Sequence, residues 1–196
     1  FRVYGTIIDL GSIALLAWLA HREGIHLFDL GNYSRKHWRR DILIGLGLFI
    51  AVFPLAMVLP EILASSAVYG GPAPRSIGVM PMAGFLYSLI IWPAIWAFAE
   101  DNTYFGYLLP RLEVLTGRTW LAVVILVFFG TFQHIFMPFT LDSQYFMYRF
   151  VGSILISIVF SLLYLRYRRL MPIHIIHWLG NAISILMFMF MPVAGG

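Results

Sequence analysis

The sequence predicts an all-α protein, a polytopic transmembrane bundle of about six helices. Two features of composition and one of charge placement carry that prediction. Of the 196 residues, 61% are hydrophobic and only 11% are charged, and the mean hydropathy is +0.85. Soluble domains carry about 25% charged residues and are about half apolar. Apolar stretches near the roughly 17–25 residues that a helix needs to cross the hydrocarbon recur along the whole chain. The basic residues gather in alternate connecting segments, as the positive-inside rule requires of a chain that weaves across a bilayer. Nothing alternates apolar and polar over about ten residues, the mark of a membrane barrel. No stretch is left for a soluble domain of ordinary size, so residues 1–196 read as one transmembrane domain. Phe1 is not a methionine, which leaves room for natural N-terminal residues ahead of it.

The first span is predicted over 3–20, with Asp9 near its outer end and no role assigned to it. The segment 26–41 follows, with Trp38 among Arg35, Lys36, Arg39 and Arg40. It reads as a short interfacial helix, tryptophan at headgroup level and basic side chains on anionic lipid. The second span is 42–62, with Glu61 at its end beyond Pro60 and expected to be solvated. Between Ala64 and Met82 the run SSAVYGGPAPRSIGVMP is rich in helix breakers and reads as an outer loop. The third span is 83–109 and the fourth 119–137, with Gly117 as the turn between them. The fifth is 146–165 and the sixth 172–191.

Loop charge supports this count. Arg22, Arg35, Lys36, Arg39 and Arg40 fall in one connection, Arg111 and Arg118 in the next but one, and Arg166, Arg168 and Arg169 in the last such connection. Those are ten of the 13 basic residues, all on one side. Arg2, Arg75 and Arg149 take the other. Both ends of the sequence are therefore expected to face outward.

Composition also excludes chemistry. There is no cysteine, so disulfides, thiol nucleophiles and zinc–thiolate sites are ruled out. The net charge of +4 sits in short loops, where it sets orientation, and nucleic-acid binding is not expected.

An ionisable residue inside a span costs about 2.5–3.5 kcal/mol on insertion scales and is a functional hypothesis by default. Glu100, Asp101, Asn102 and Thr103 lie in the third span, His134 in the fourth, and His174, His177 and Asn181 in the sixth. Glu100 lies seventeen residues before Gly117 and His134 seventeen after it. In an antiparallel hairpin equal separation from the turn means equal depth, about 25 Å at 1.5 Å per residue, so the two can face each other. His174, His177 and Asn181 follow at i, i+3 and i+7, one helical stripe. His177 matches their depth only if the hairpin of the third and fourth spans protrudes past the bilayer. A carboxylate and an imidazole sharing a water can make it nucleophilic. A second histidine and an asparagine amide can donate to an oxyanion. The same Glu/His/His set could instead hold a divalent metal such as zinc, and a buried acid–histidine relay would also suit a small proton-coupled transporter.

These residues resemble the motifs of the CPBP family of intramembrane proteases, which includes the CAAX prenyl endopeptidases and the bacterial Abi proteins. The stretch AEDNTYFGYLLPRLE, 99–113, is similar to the motif E-E-x-x-x-R continuing G-Y-L: Glu100 stands at the first glutamate, Asp101 at the second, and Gly106, Tyr107 and Leu108 at the continuation. FFGTFQH answers F-x-x-x-H at His134, with Gly130 where phenylalanine is usual. HWLGN answers H-x-x-x-N with His177 and Asn181. The resemblance implies an intramembrane endopeptidase in a bacterial or archaeal plasma membrane, acting on a membrane-embedded or lipidated, for example prenylated, peptide. It assigns water activation to Glu100 with His134, the oxyanion hole to His177 with Asn181, and a supporting place in the site to Asp101. No cofactor is expected from a metal-free glutamate mechanism. Aspartate for the second glutamate and Phe105 for the motif's arginine change both ends of an i, i+4 pair. The alternative is therefore a catalytically impaired relative that binds a membrane protein partner or lipid through the same cavity.

Overall fold

A computed structural model describes residues 2–73, 81–138 and 140–190. Among them, six helices make a bundle with no strand: α1 (Arg2–Arg22), α2 (Trp38–Tyr69), α3 (Met82–Thr116), α4 (Thr119–Phe136), α5 (Ser143–Tyr167) and α6 (Met171–Phe190). The first five are long and apolar enough to cross a membrane, and α6 is the shorter apolar helix that completes the predicted set. The predicted end of the sixth span at Met191, most of the outer loop, and Arg75 lie outside the described residues. Large apolar side chains point outward along the first five helices, among them Ile7, Leu43, Ile50, Val124 and Phe128. That is the surface a hydrocarbon solvent selects.

Three helical stretches are widened into π-turns: Phe53–Val58, Tyr87–Ile91 and Asn102–Leu108. Proline has no N–H to donate and its ring crowds the carbonyl four residues back. The carbonyls facing Pro60, Pro93 and Pro110 belong to Ala56, Leu89 and Gly106, one within each wide turn. Inserting a residue into the turn relieves that crowding. The same helix departs from the sequence reading at its end. The second span does not stop at residue 62: SSAVY continues the helix to Tyr69, and Gly70, with φ +69°, ends it. In a bilayer the intrahelical hydrogen bonds of Ser65 and Ser66 outweigh the loop propensity of the run.

Helix α3 is central. It packs against α1 on one side and α6 on the other, while α6 packs on α2, α2 on α5, and α5 on α4. Gly45 lets α2 and α6 touch: a Cβ there would meet Ile175 Cβ at 2.8 Å and the Pro172 carbonyl at 3.0 Å. Small residues at such crossings are the usual means of close helix approach in membranes. An apolar core of Val52, Phe105, Leu109, Leu126, Phe160, Ile173 and Ile176 joins five helices.

The two ends are chemically distinct, as the loop charges predict. At the basic end Arg111 pairs with Glu23, and Arg168 Nη1 with Glu113 Oε2 at 2.6 Å. At the other end Arg149 faces Glu61 at 4.0 Å, and the Tyr87 and Thr6 hydroxyls bond each other. Gly117, φ +63°, makes the expected turn between α3 and α4. The hairpin does protrude. Leu170, at the start of α6, packs against Gly106, so residues 107–117 extend about 15 Å beyond the α5–α6 connection at 1.5 Å per residue. Seven residues of α6 separate Leu170 from His177, and six of α3 separate Gly106 from Glu100. Both distances are about 10 Å, and the depths therefore agree.

The segment before α2 is not one interfacial helix. It holds a short 3-10 turn, Leu27–Gly31, and then α2 begins at Trp38, half-exposed at its first turn.

Candidate functional site

Helical phase decides what each polar residue meets. Glu100 and Asp101 are consecutive, hence about 100° apart around α3. Glu100 faces a cavity of about 570 Å³ between α2, α3, α4, α5 and α6, whose walls include Trp96, Tyr104, His134, His177 and Asn181. Ser65, Gly71, Pro72, Met137 and Tyr145 also line it, so it reaches the less basic end of the bundle. Asp101 turns away from it into the α3–α6 contact and is completely buried.

His134 Nε2 lies 3.6 Å from Glu100 Oε1, and His177 Nε2 lies 3.9 Å from Glu100 Oε2. Gln133 Nε2 donates to Glu100 Oε1 at 2.5 Å. The indole of Trp96 also faces the carboxylate, and its ring stands 6.0 Å from that of His134 and 6.2 Å from that of His177. Glu100 Oε2, His134 Nδ1 and Asn181 Nδ2 are buried with no hydrogen-bond partner among the described residues. Buried polar atoms in native structures are nearly always satisfied. These three atoms all border the one cavity.

Behind this wall Asp101 bridges two histidines, Oδ2 to His174 Nδ1 at 2.7 Å and Oδ1 to His177 Nδ1 at 2.9 Å. An ionised carboxylate only accepts, so both Nδ1 atoms carry hydrogen and each Nε2 turns outward. His174 Nε2 meets the Tyr33 hydroxyl, which in turn accepts from Asn102 Nδ2 at 3.2 Å. Phe105, at the motif's arginine position, is buried edge-on against Phe160 at 6.0 Å between ring centroids. The partners of Asp101 are thus two imidazoles on α6. The polar Asn102 belongs to the same network, and Thr103 bonds back to the Ala99 carbonyl at 2.7 Å.

The structure accordingly brings Glu100, His134 and His177 to one point and puts Asn181 on the same cavity. Asp101 stands behind His177, outside the cavity. Three other residues differ from the sequence reading. Glu61 is not free in solvent: Tyr148 donates to it, Arg149 stands 4.0 Å away, and it lines the cavity. Asp9 is buried, with Oδ2 unpaired, and interacts electrostatically with Glu100 and His177. Its helix runs parallel to α3, with Gly5 against Trp92, so Asp9 lies level with Trp96, one turn from Glu100. Counting along one helix cannot reveal that alignment. Tyr33 was missed because it sits in a connection that periodicity leaves blank.

Among the described residues no group of three or more His, Asp and Glu side chains is arranged to hold a metal ion.

Ionisable side chains from three helices, gathered at mid-depth on a cavity within a polytopic bundle, define a membrane-embedded catalytic or transport protein. Residues 77–183 match the family model described as type II CAAX prenyl endopeptidase Rce1-like, more than half of the chain, and the chain belongs to that family of CAAX-type intramembrane proteases. It is an integral membrane protein. No curated protein and no solved structure matches it. Helix α1, with Asp9, and the connection carrying Tyr33 precede the matched residues.

Proposed function

We propose that this protein hydrolyses a peptide bond of a membrane-associated, lipidated peptide, in a bacterial or archaeal plasma membrane, with water activated by Glu100 and His134. The observation that carries the proposal is the buried Glu100 carboxylate, its Oε2 without a hydrogen-bond partner, flanked by two imidazoles at 3.6 and 3.9 Å on the cavity wall. Those distances are too long for a direct hydrogen bond and suit a reacting water held between the groups. Water would lose a proton to Glu100 while its oxygen attacks the peptide carbonyl carbon. The Asn181 amide donates to the oxyanion that forms. His177 joins it from Nε2 when that ring is doubly protonated, and Asp101 supplies the counter-charge. Collapse of the adduct breaks the C–N bond, and Glu100 returns its proton to the leaving amine.

A general base of this kind contributes about 10²–10⁴-fold. Purified Glu100→Gln should therefore lose cleavage of a fluorogenic prenylated peptide by about that factor while still binding it. Full activity in this variant would end the proposal. The buried Phe105 favours a second reading, a non-catalytic relative that retains partner or lipid in the cavity. It expects no cleavage by the wild-type protein and partner binding untouched by Glu100→Gln.

A further inference from the structure

A second site lies at the basic end, away from the cavity. Arg40 and Asp41 on the first turn of α2, Ile44 one turn on, Arg166 and Tyr167 in the last turn of α5, and Arg169 just beyond it surround a pocket of about 150 Å³. Asp41 is buried, and Arg169 Nη1 takes its Oδ1 at 3.0 Å. That pair closes the pocket's inner wall and uses its one carboxylate. Arg40 and Arg166 are exposed and have no carboxylate partner among the described residues, Arg166 lying only over its neighbour Tyr167 at 5.7 Å. Two guanidinium groups from different helices therefore border a small space whose one carboxylate, Asp41, is held by Arg169.

Position says what kind of anion fits. The pocket sits where α2 begins and α5 ends, beside the half-exposed Trp38 and the aromatic Tyr167, the depth at which such rings mark the headgroup layer. Its volume equals about five waters at about 30 Å³ each, room for a tetrahedral phosphate and its oxygens. Guanidinium groups bind phosphate bidentately. Basic pockets between spanning helices are a common seat for anionic lipid headgroups. Ile44 and the outward Leu43 continue from the pocket along α2, an apolar wall for an acyl chain below the phosphate.

We propose that Arg40 and Arg166 form a binding site for a phosphate group, the headgroup of an anionic phospholipid held between α2 and α5. The site is independent of the hydrolytic reading, because none of its residues touches the cavity.

The test uses the intact protein in neutral detergent, with native mass spectrometry counting bound lipid and thermal unfolding reading its effect. Phosphatidylglycerol should bind as one retained molecule and raise the melting temperature, and phosphatidylcholine should do neither. Arg40→Gln and Arg166→Gln should each weaken phosphatidylglycerol binding about fivefold, and the double variant about 25-fold, at the strength of one surface cation apiece. Lys36→Gln, nearby but outside the pocket, should leave it unchanged. Arg166→Lys keeps the charge and controls for folding. Displacement of the lipid by millimolar inorganic phosphate would identify the free anion as an equal source for the same site. Equal binding of both lipids, undiminished binding by the double variant, or an equal loss in Lys36→Gln would each overturn the proposal.

Discussion

Asp101→Asn is the most informative single change outside the cavity. It preserves shape and removes one acceptor. The native carboxylate is fully buried and takes hydrogen bonds from two Nδ1–H groups, at 2.7 and 2.9 Å. Asparagine can satisfy one of them with its oxygen. Its NH₂ then confronts the other Nδ1–H, donor against donor, unless that ring changes tautomer. His174 can do so, since a hydrogen moved to Nε2 finds the Tyr33 oxygen. Both contacts are then remade without the carboxylate's charge, and two charge-assisted bonds become neutral ones, a loss of about 1.5–3 kcal/mol in all. Asp101→Ala strands both histidines and should cost about 3–5 kcal/mol, the range for removing one partner of a buried ionic contact. At about 2–4 °C per kcal/mol for a chain of this size, Asn should lower the detergent melting temperature by about 3–12 °C and Ala by more. Imidazole nitrogen shifts in ¹⁵N NMR should show His174 changing tautomer in Asp101→Asn. A variant melting within about 1 °C of wild type, with unchanged histidine shifts, would refute the bridge.

Other outcomes follow from the same geometry. Gly45→Ala forces a methyl against Ile175 Cβ and a backbone carbonyl and should destabilise by about 1–3 kcal/mol. Gly180→Ala clashes with the flexible end of Met57 and makes an ordinary contact with Phe53 at 3.6 Å, and should cost less, a contrast that thermal unfolding of the two variants reads directly. At the basic end the hydrogen bond from Arg111, with one from Tyr107, holds the Glu23 carboxyl below its ordinary value of 4.5. A depressed carboxylate stabilises the fold above its unfolded pKa, and that contribution disappears as pH falls through the folded value. The difference in melting temperature between wild type and Glu23→Gln should therefore be small and positive at pH 7 and vanish in acid. A difference that persists at low pH would show that the contact is not ionic.

Much of this was legible because a bilayer leaves few options. Helices are the one open solution for such a chain, so apolar runs and loop charge place the spans. Glycine 117 then brings Glu100 opposite His134 by counting alone. Counting failed where two helices meet without sharing a turn. The alignment of Asp9 with Trp96 depends on how α1 packs on α3. The rescue of Asp101 by His174 depends on α6 presenting two rings at once. The helical extension through Ser65 and Ser66 was obscured by propensities measured in water, where a loop can bond to solvent. Glu61 was judged by its distance from the end of a span whose end lies farther along.

The order Glu100–Asp101 has a further consequence. Two adjacent acids on one helix share almost the same depth yet face different media, one an accessible chamber and the other a dry seam between helices. A water-soluble carbodiimide entering the chamber would meet the first and not the second. A motion that turned α3 by about a quarter revolution toward the seam would press Glu100 into it and pull Asp101 off His177. The Asp101 side chain thus acts as a rotational stop for the helix that carries Glu100.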